Sequence, residues 1–133
     1  MQGKVQIVAK GDLYVIESAN KLCKYIFTIT DKSPKKFRFS FVTRLHNYGF
    51  NLMEKLIEAN DTYVVSGNSP EARKRAELQR NAMTILKLMG YVGEMAYEQK
   101  CILPKHFKEM SKQIFETQKL LAGWIKSDQK RFF

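Results

Sequence analysis

The chain has 133 residues and a formal net charge of +10, with 23 Lys and Arg against 13 Asp and Glu. This length suits one domain with a hydrophobic core. No apolar run approaches the roughly 20 residues that span a bilayer, and the N-terminus lacks a secretory pattern. Cys23 and Cys101 fit neither a disulfide framework nor a metal motif, so we expect both to be reduced and packed in a cytoplasmic protein.

The beginning of the chain predicts an arm followed by a helix. Residues 1–10 show weak alternation and no cap, which indicates an N-terminal arm before a helical domain over 11–133. Asp12 is the predicted N-cap of helix one, which should end near Asp31. Its predicted inward face, interrupted by Asn20, consists of Leu13, Ile16, Cys23 and Phe27.

All three prolines mark predicted helix starts. Ser33-Pro34 and Ser69-Pro70 place a Ser N-cap before a Pro at the first helical position, where the missing N–H costs nothing. Leu103-Pro104 gives the third start. Helices two, three and four are therefore predicted over about 34–61, 70–100 and 104–128.

Apolar residues recur at helical spacing along each of these segments. In helix three the stripe includes Gly90 and Gly93, which we interpret as a close approach to a neighbouring helix rather than a backbone-clamping loop. The stripe of helix two includes Phe41, Leu45, Tyr48, Leu52 and Leu56. Helix four has two heptad columns, Phe107, Ile114, Leu121 and Met110, Thr117, Trp124. Four helices with short connections predict an all-α fold, an antiparallel up-down four-helix bundle.

A lysine column on helix four is the first candidate binding surface. Lys105, Lys112, Lys119 and Lys126 recur every seven residues opposite the predicted core. A solvated outer face explains such a column equally well. However, Phe115 should lie outward among Lys108, Lys112 and Lys119, which favours a partner, either another subunit or a nucleobase.

Two further basic clusters lie in predicted first helical turns, where cations oppose the helix dipole but phosphate binds well. Arg73-Lys74-Arg75, with Arg80 and Lys87, is one, and surface solubility is its alternative role. The other is Lys35-Lys36-Phe37-Arg38. We expect surface contacts from Lys35 and Lys36, and a structural role for Arg38, either in a pair with a carboxylate such as Glu58 or as the cap of a neighbouring helix.

Catalysis finds little support in the sequence. His46 and His106 lack the partner spacing of a metal set, and there is no Walker-type, HExxH or nucleophile-elbow motif. We therefore expect a protein that is not an enzyme and holds no metal or cofactor. The charge excess favours a polyanion, most plausibly RNA. The alternative is an oligomeric structural protein whose charge serves solubility.

The chain resembles the Avd proteins, the accessory variability determinants of diversity-generating retroelements. The resemblance lies in Asp12-Leu13, Pro34-Lys35-Lys36-Phe37-Arg38-Phe39, Arg44-Leu45, Glu58-Ala59-Asn60 and Ala122-Gly123-Trp124-Ile125-Lys126, and covers about nine-tenths of the chain. Helix one departs from the family pattern at Cys23-Lys24. Bundle proteins encoded in rRNA intervening sequences have a similar architecture, and they provide the alternative family.

The resemblance implies a noncatalytic four-helix bundle that assembles into a homopentamer. It implies binding to the reverse transcriptase and its template RNA, with the cDNA as a further candidate, in support of mutagenic cDNA synthesis. Carried onto this chain, the contact surface would fall on basic residues of helices two to four: Lys35, Lys36, Arg44, Arg73, Arg75, Arg80, Lys105, Lys108, Lys112 and Lys119.

Overall fold

The computed structural model describes the backbone of residues 10–133 and side chains from Tyr14 onward. Four long helices make up most of this part of the chain, which contains no strand: α1 (Lys10–Thr30), α2 (Thr43–Asp61), α3 (Pro70–Glu98) and α4 (Pro104–Phe132). The all-α prediction with four helices is thus confirmed for the described residues. Residues 1–9 of the predicted arm and the predicted inward side chain of Leu13 lie outside them. Because α1 already begins at Lys10, Asp12 lies within the helix rather than before it, and the prediction of an Asp12 N-cap is wrong.

The two Ser-Pro pairs behave differently. Ser69 caps α3 as predicted, because its side chain accepts a hydrogen bond from the Ala72 N–H. Ser33 caps nothing, and that prediction is wrong. Its hydroxyl instead donates to the Cys101 carbonyl at 2.8 Å, which joins the α1–α2 connection to the α3–α4 connection.

Helix two begins irregularly rather than as one α-helix from Pro34. A 3₁₀ turn covers Lys35–Phe37, a π turn covers Arg38–Val42, and regular α-helix starts only at Thr43. The Thr43 N–H reaches the Arg38 carbonyl five residues back, the defining bond of a π turn. The Thr43 hydroxyl donates to the same oxygen at 2.5 Å, so this wide turn is held twice.

The inward face of α1 is rotated from the predicted one. Asn20 is exposed, and Phe27 and Ile16 are only half-buried. Cys23 is the member of the predicted face that is buried, as expected. The residues that form the face are Val15, Ala19, Leu22, Ile26 and Ile29, each at most 5% exposed. Their spacing of three and four still gives one continuous apolar stripe, shifted around the helix by about one residue.

The core lies among all four helices, because α1 and α3 each pack against both α2 and α4. The columns of α4 are confirmed, with Met110, Thr117 and Leu121 fully buried. Gly93 lies where α3 approaches α4 closely, as predicted, because a Cβ there would collide with the buried Met110 methyl group. At Gly90 a Cβ would meet only open space, so the prediction of a close helix approach is wrong for that glycine.

Candidate nucleic-acid interface

The cations predicted from sequence are mostly on the surface. Nine of the ten candidates are exposed: Lys35, Lys36, Arg44, Arg73, Arg80, Lys105, Lys108, Lys112 and Lys119. Lys126 is exposed as well, so every member of the seven-residue lysine column points away from the core. The surface is therefore able to offer these charges to a polyanion without rearrangement.

Arg75 is the exception, and its assignment to a contact surface is wrong. The residue is 6% exposed. Its Nε and Nη2 atoms donate to the two carboxylate oxygens of Asp128, at 2.5 and 3.2 Å, and its guanidinium lies 5.1 Å from the Trp124 ring centroid. A guanidinium in such a bidentate pair is committed to the fold, because a buried charge requires its partner.

A buried amide side chain joins this cluster. Gln79 is fully buried, and its Nε2 donates to Asp128 Oδ2 at 2.8 Å. Arg75 Nη1 also reaches the Ala59 carbonyl at the end of α2. The network therefore connects α2, α3 and α4 at one end of the molecule. The burial of Asp128 could have been predicted, because Asp128 continues the inward heptad column of Leu121.

Arg73 is exposed but is partly engaged by its own loop. Its Nη1 donates to the Asn68 carbonyl at 2.5 Å, and Asn68, at φ 56°, donates its N–H to the Phe132 carbonyl. The Arg73-Lys74-Arg75 cluster is thus one buried residue, one loop-bonded residue and one fully surface-directed lysine. Only part of its charge faces a possible ligand.

The remaining cations occupy two ends and one side of the molecule. Lys35 and Lys36 lie near the α3–α4 connection, as the bond between Ser33 and Cys101 shows. Arg73 lies beside the last turn of α4. Along α4, Lys105 and Lys126 are 21 residues apart, which corresponds to about 32 Å of helix. The basic residues therefore do not converge on one pocket but are distributed along the length of the molecule.

We call Lys32, Lys35, Lys36, Arg38, Lys100 and Lys105 the basic end. Lys100 closes α3 in the left-handed conformation, at φ 66°, with the Cys101 N–H bonded to the Ala96 carbonyl. Asp31 and Glu98 are the acidic residues next to it in the chain, so cations outnumber carboxylates there. Arg38 is exposed in a surface pocket beside Phe27 and His46. The expected Arg38–Glu58 pair is wrong, because Glu58 lines a different pocket with Asp61 and Lys74.

Aromatic side chains accompany the exposed cations. Phe115 is 60% exposed, as its predicted outward position requires, and Lys119 Nζ lies 5.7 Å from its ring centroid. Beside Phe115, a groove of about 610 Å³ between α3 and α4 includes Gly90, Tyr91 and Ile114. Lys36 lies 5.1 Å from the ring centroid of Phe37 and Arg44 lies 6.0 Å from that of Tyr48, but both rings are half-buried. The pair of Lys119 and the exposed Phe115 is the arrangement typical of surfaces that bind bases and phosphates together.

Phe39 was missed by sequence reasoning. It is 89% exposed, the highest value among the large apolar side chains of the described chain. A signal existed, because Phe37 and Phe41 are four residues apart and share a helical face, which leaves Phe39 on the opposite side. Tyr63 and Val65, in the connection after α2, are also strongly exposed, at 82% and 85%.

The histidines and cysteines have structural environments. His46 Nε2 lies 2.8 Å from the Thr30 hydroxyl and its ring meets Phe27 edge-on, and burial lowers the pKa of His46. Both cysteines are free and buried. Burial raises the pKa of Cys23 to about 11, and its thiol donates to the Gly49 carbonyl. A thiol with so high a pKa is a poor nucleophile at neutral pH.

Within residues 10–133, no group of three or more His, Cys, Asp and Glu side chains is arranged to hold a metal ion. No helix of this described part is both long enough and apolar enough to cross a bilayer. In comparisons with known proteins, no family model and no curated protein matched the chain.

Proposed function

We propose that the protein is a noncatalytic accessory protein that binds RNA. The observation that carries the proposal is the exposure of nine cations on a chain of net charge +10. Counterion release makes such surfaces bind nucleic acid, with an affinity that falls steeply as salt rises. The resemblance to the Avd proteins adds the partners: the reverse transcriptase of a diversity-generating retroelement, its template RNA and the cDNA, in support of mutagenic cDNA synthesis.

The antiparallel up-down arrangement and a homopentameric ring belong to the same proposal. Arg75 near the start of α3 meets Asp128 near the end of α4, while Gly93 near the end of α3 meets Met110 near the start of α4. These contacts support opposite directions for the two helices. A ring would repeat each basic surface, so that weak phosphate contacts combine through their effective concentration.

Filter binding of RNA across a salt series tests RNA binding. We expect the logarithm of the affinity to fall linearly with the logarithm of the salt concentration, and each lost phosphate contact to lower the slope by about 0.7 for single strands. The double variant Lys35→Gln/Lys36→Gln should show a smaller slope than the native protein. An interaction that does not change with salt would contradict the proposal.

A matched variant at the other end compares the two basic regions. Arg73→Gln/Lys74→Gln removes the same number of charges, but Arg73 is already bonded to its loop. We therefore expect its slope to change less than that of the Lys35 and Lys36 variant. Native mass spectrometry, with and without RNA and polymerase, measures the stoichiometry and tests the pentamer and the partner separately.

The second candidate is an oligomeric helical scaffold without specific RNA binding, as in the proteins of rRNA intervening sequences. The groove between α3 and α4, with half-exposed apolar rings such as Phe115 and Tyr91, favours an assembly surface. The scaffold function predicts stable oligomers in mass spectra and no retained RNA. The two candidates thus differ in one measurable property.

A further inference from the structure

The segment that joins α1 to α2 presents one aromatic ring to solvent. Phe37 and Phe41 turn toward the protein, pack against its core, and lie 5.7 Å apart between ring centroids. Phe39, between them, is 89% exposed. The π turn Arg38–Val42 that carries it is a type of turn often found at functional sites. Packing within the protein therefore does not account for the position of this ring.

The charged residues near Phe39 in the chain are all basic. From Lys32 to Met53 the chain has five Lys and Arg and no Asp or Glu. Lys36 and Arg38 are near neighbours of Phe39 in the chain, and both are exposed. A polyanion complements this surface. An acidic protein would satisfy the charges as well, but a protein-docking residue is usually surrounded by other apolar contacts, and the residues one helical turn before Phe39, Lys35 and Lys36, are exposed cations.

We propose that Phe39 and the cations around it bind single-stranded RNA, with one base stacked on the Phe39 ring and the neighbouring phosphates on Lys35, Lys36, Arg38 and Arg44. This rests on the proposed function and names the form of RNA that this site takes. Only an unpaired base offers its face to a side chain, because the bases of a duplex are stacked on one another. The stacked base therefore makes the site selective for single-stranded over double-stranded RNA, but not for a particular base sequence.

The test is the affinity of Phe39→Ala for a fluorescein-labelled single-stranded RNA of about 12 nucleotides, measured by fluorescence anisotropy. Loss of one stacked base should weaken binding by about five- to 150-fold. The affinity for a duplex RNA of the same length should be unchanged. Phe39→Tyr keeps the ring and should bind as the native protein does.

Tyr63→Ala is the matched control. Tyr63 is 82% exposed, but it lies in a pocket with Glu58, Asp61, Glu71 and Lys74, where three carboxylates outnumber the one cation and would repel an RNA backbone. Its removal should leave the single-strand affinity unchanged. Neither side chain is packed in the core, so both variants should fold, and circular dichroism checks this.

Three results would overturn the inference while leaving RNA binding in place. They are an unchanged single-strand affinity of Phe39→Ala, an equal loss on duplex RNA, and a loss of polymerase binding alone, which would make Phe39 a protein-docking residue. Failure of the native protein to bind any RNA at low salt would overturn both this inference and the proposed function. The two failures are therefore distinguishable.

Discussion

Arg75 and Asp128 form an ion pair inside the protein although they are 53 residues apart in the chain, with Nε 2.5 Å from Oδ2. The arginine also lies over the rings of Trp124 and Phe132, at 5.1 and 5.7 Å. Gln79 donates to the same carboxylate. One pair thus fixes the position of the first turns of α3 against the last turns of α4.

Removal of the Asp128 carboxylate should be strongly destabilising. Asp128→Ala leaves the Arg75 charge and the Gln79 amide buried without their acceptor, and breaking one partner of a buried pair costs about 3–5 kcal/mol. Urea unfolding followed by circular dichroism measures the loss. Asp61→Ala is the control, because Asp61 is exposed at the end of α2. Equal stabilities of the two variants would show that the pair does not contribute.

Alanine substitutions at the two glycines of α3 should change the free energy of unfolding in opposite directions. Gly90→Ala adds a methyl group in open space and removes a helix-weakening glycine, so the free energy of unfolding should rise by about 0.5–1 kcal/mol. Gly93→Ala forces the buried Met110 side chain to move, and overpacking of about 1–3 kcal/mol should outweigh the same gain. Thermal unfolding compares them. Stabilisation by Gly93→Ala equal to that by Gly90→Ala would contradict the close approach.

His46 should make stability depend on pH. The Thr30 hydroxyl donates to the Ile26 carbonyl, which leaves its oxygen to accept from His46 Nε2–H. Because burial lowers the pKa of His46 from its ordinary 6.5, the unfolded chain binds the proton more readily than the folded protein does. The free energy of unfolding should therefore fall as pH drops through about 6.5 and below.

The variant His46→Gln isolates this effect. It cannot titrate, so its stability should fall less than that of the native protein between about pH 8 and pH 5. The other titrating groups are the same in both proteins and contribute equally to both curves. Parallel curves, measured by urea unfolding at several pH values, would rule out His46 as the source.

Lys100→Gly should raise stability and lower RNA affinity together. Lys100 holds φ at 66°, a left-handed conformation that costs an L-residue about 1–2 kcal/mol but costs glycine little. After the larger entropy of glycine in the unfolded chain, a gain of about 0.5–1 kcal/mol should remain. The same change removes one cation from the basic end.

Asn68→Gly is the control for this prediction. Asn68 has φ 56°, and its free energy of unfolding should rise less, because asparagine tolerates this conformation. Reduced stability of Lys100→Gly would contradict the strain.

The parts of the fold that follow from short-range pattern could be predicted from sequence. The heptad of α4 placed Met110, Thr117 and Trp124 in the core, because one apolar stripe dominates that helix. In α1 apolar residues lie on two adjacent faces that share Cys23. Packing against α2 and α4 selects one of them, and a single helix carries no information about that choice.

The failures at the candidate site have a common cause in long-range partners. Ser33 bonds to a carbonyl 68 residues away instead of capping its own helix. A charged residue such as Arg75 is usually exposed, and only its pairing with Asp128 makes burial tolerable. The exposure of the lysine column was predictable, because it depends only on helical spacing.

The π turn Arg38–Val42 determines the direction around the axis of α2 in which the side chains before Thr43 point. Each residue of an α-helix advances the side chains by about 100°. Deletion of one residue within the turn would let α2 continue backward as ordinary α-helix and would rotate the preceding side chains by about that angle. The number of residues in the turn, rather than the chemistry of any one of them, therefore keeps Phe39 exposed to water. An insertion or deletion in the turn would change the exposure of Phe39 more than most substitutions would.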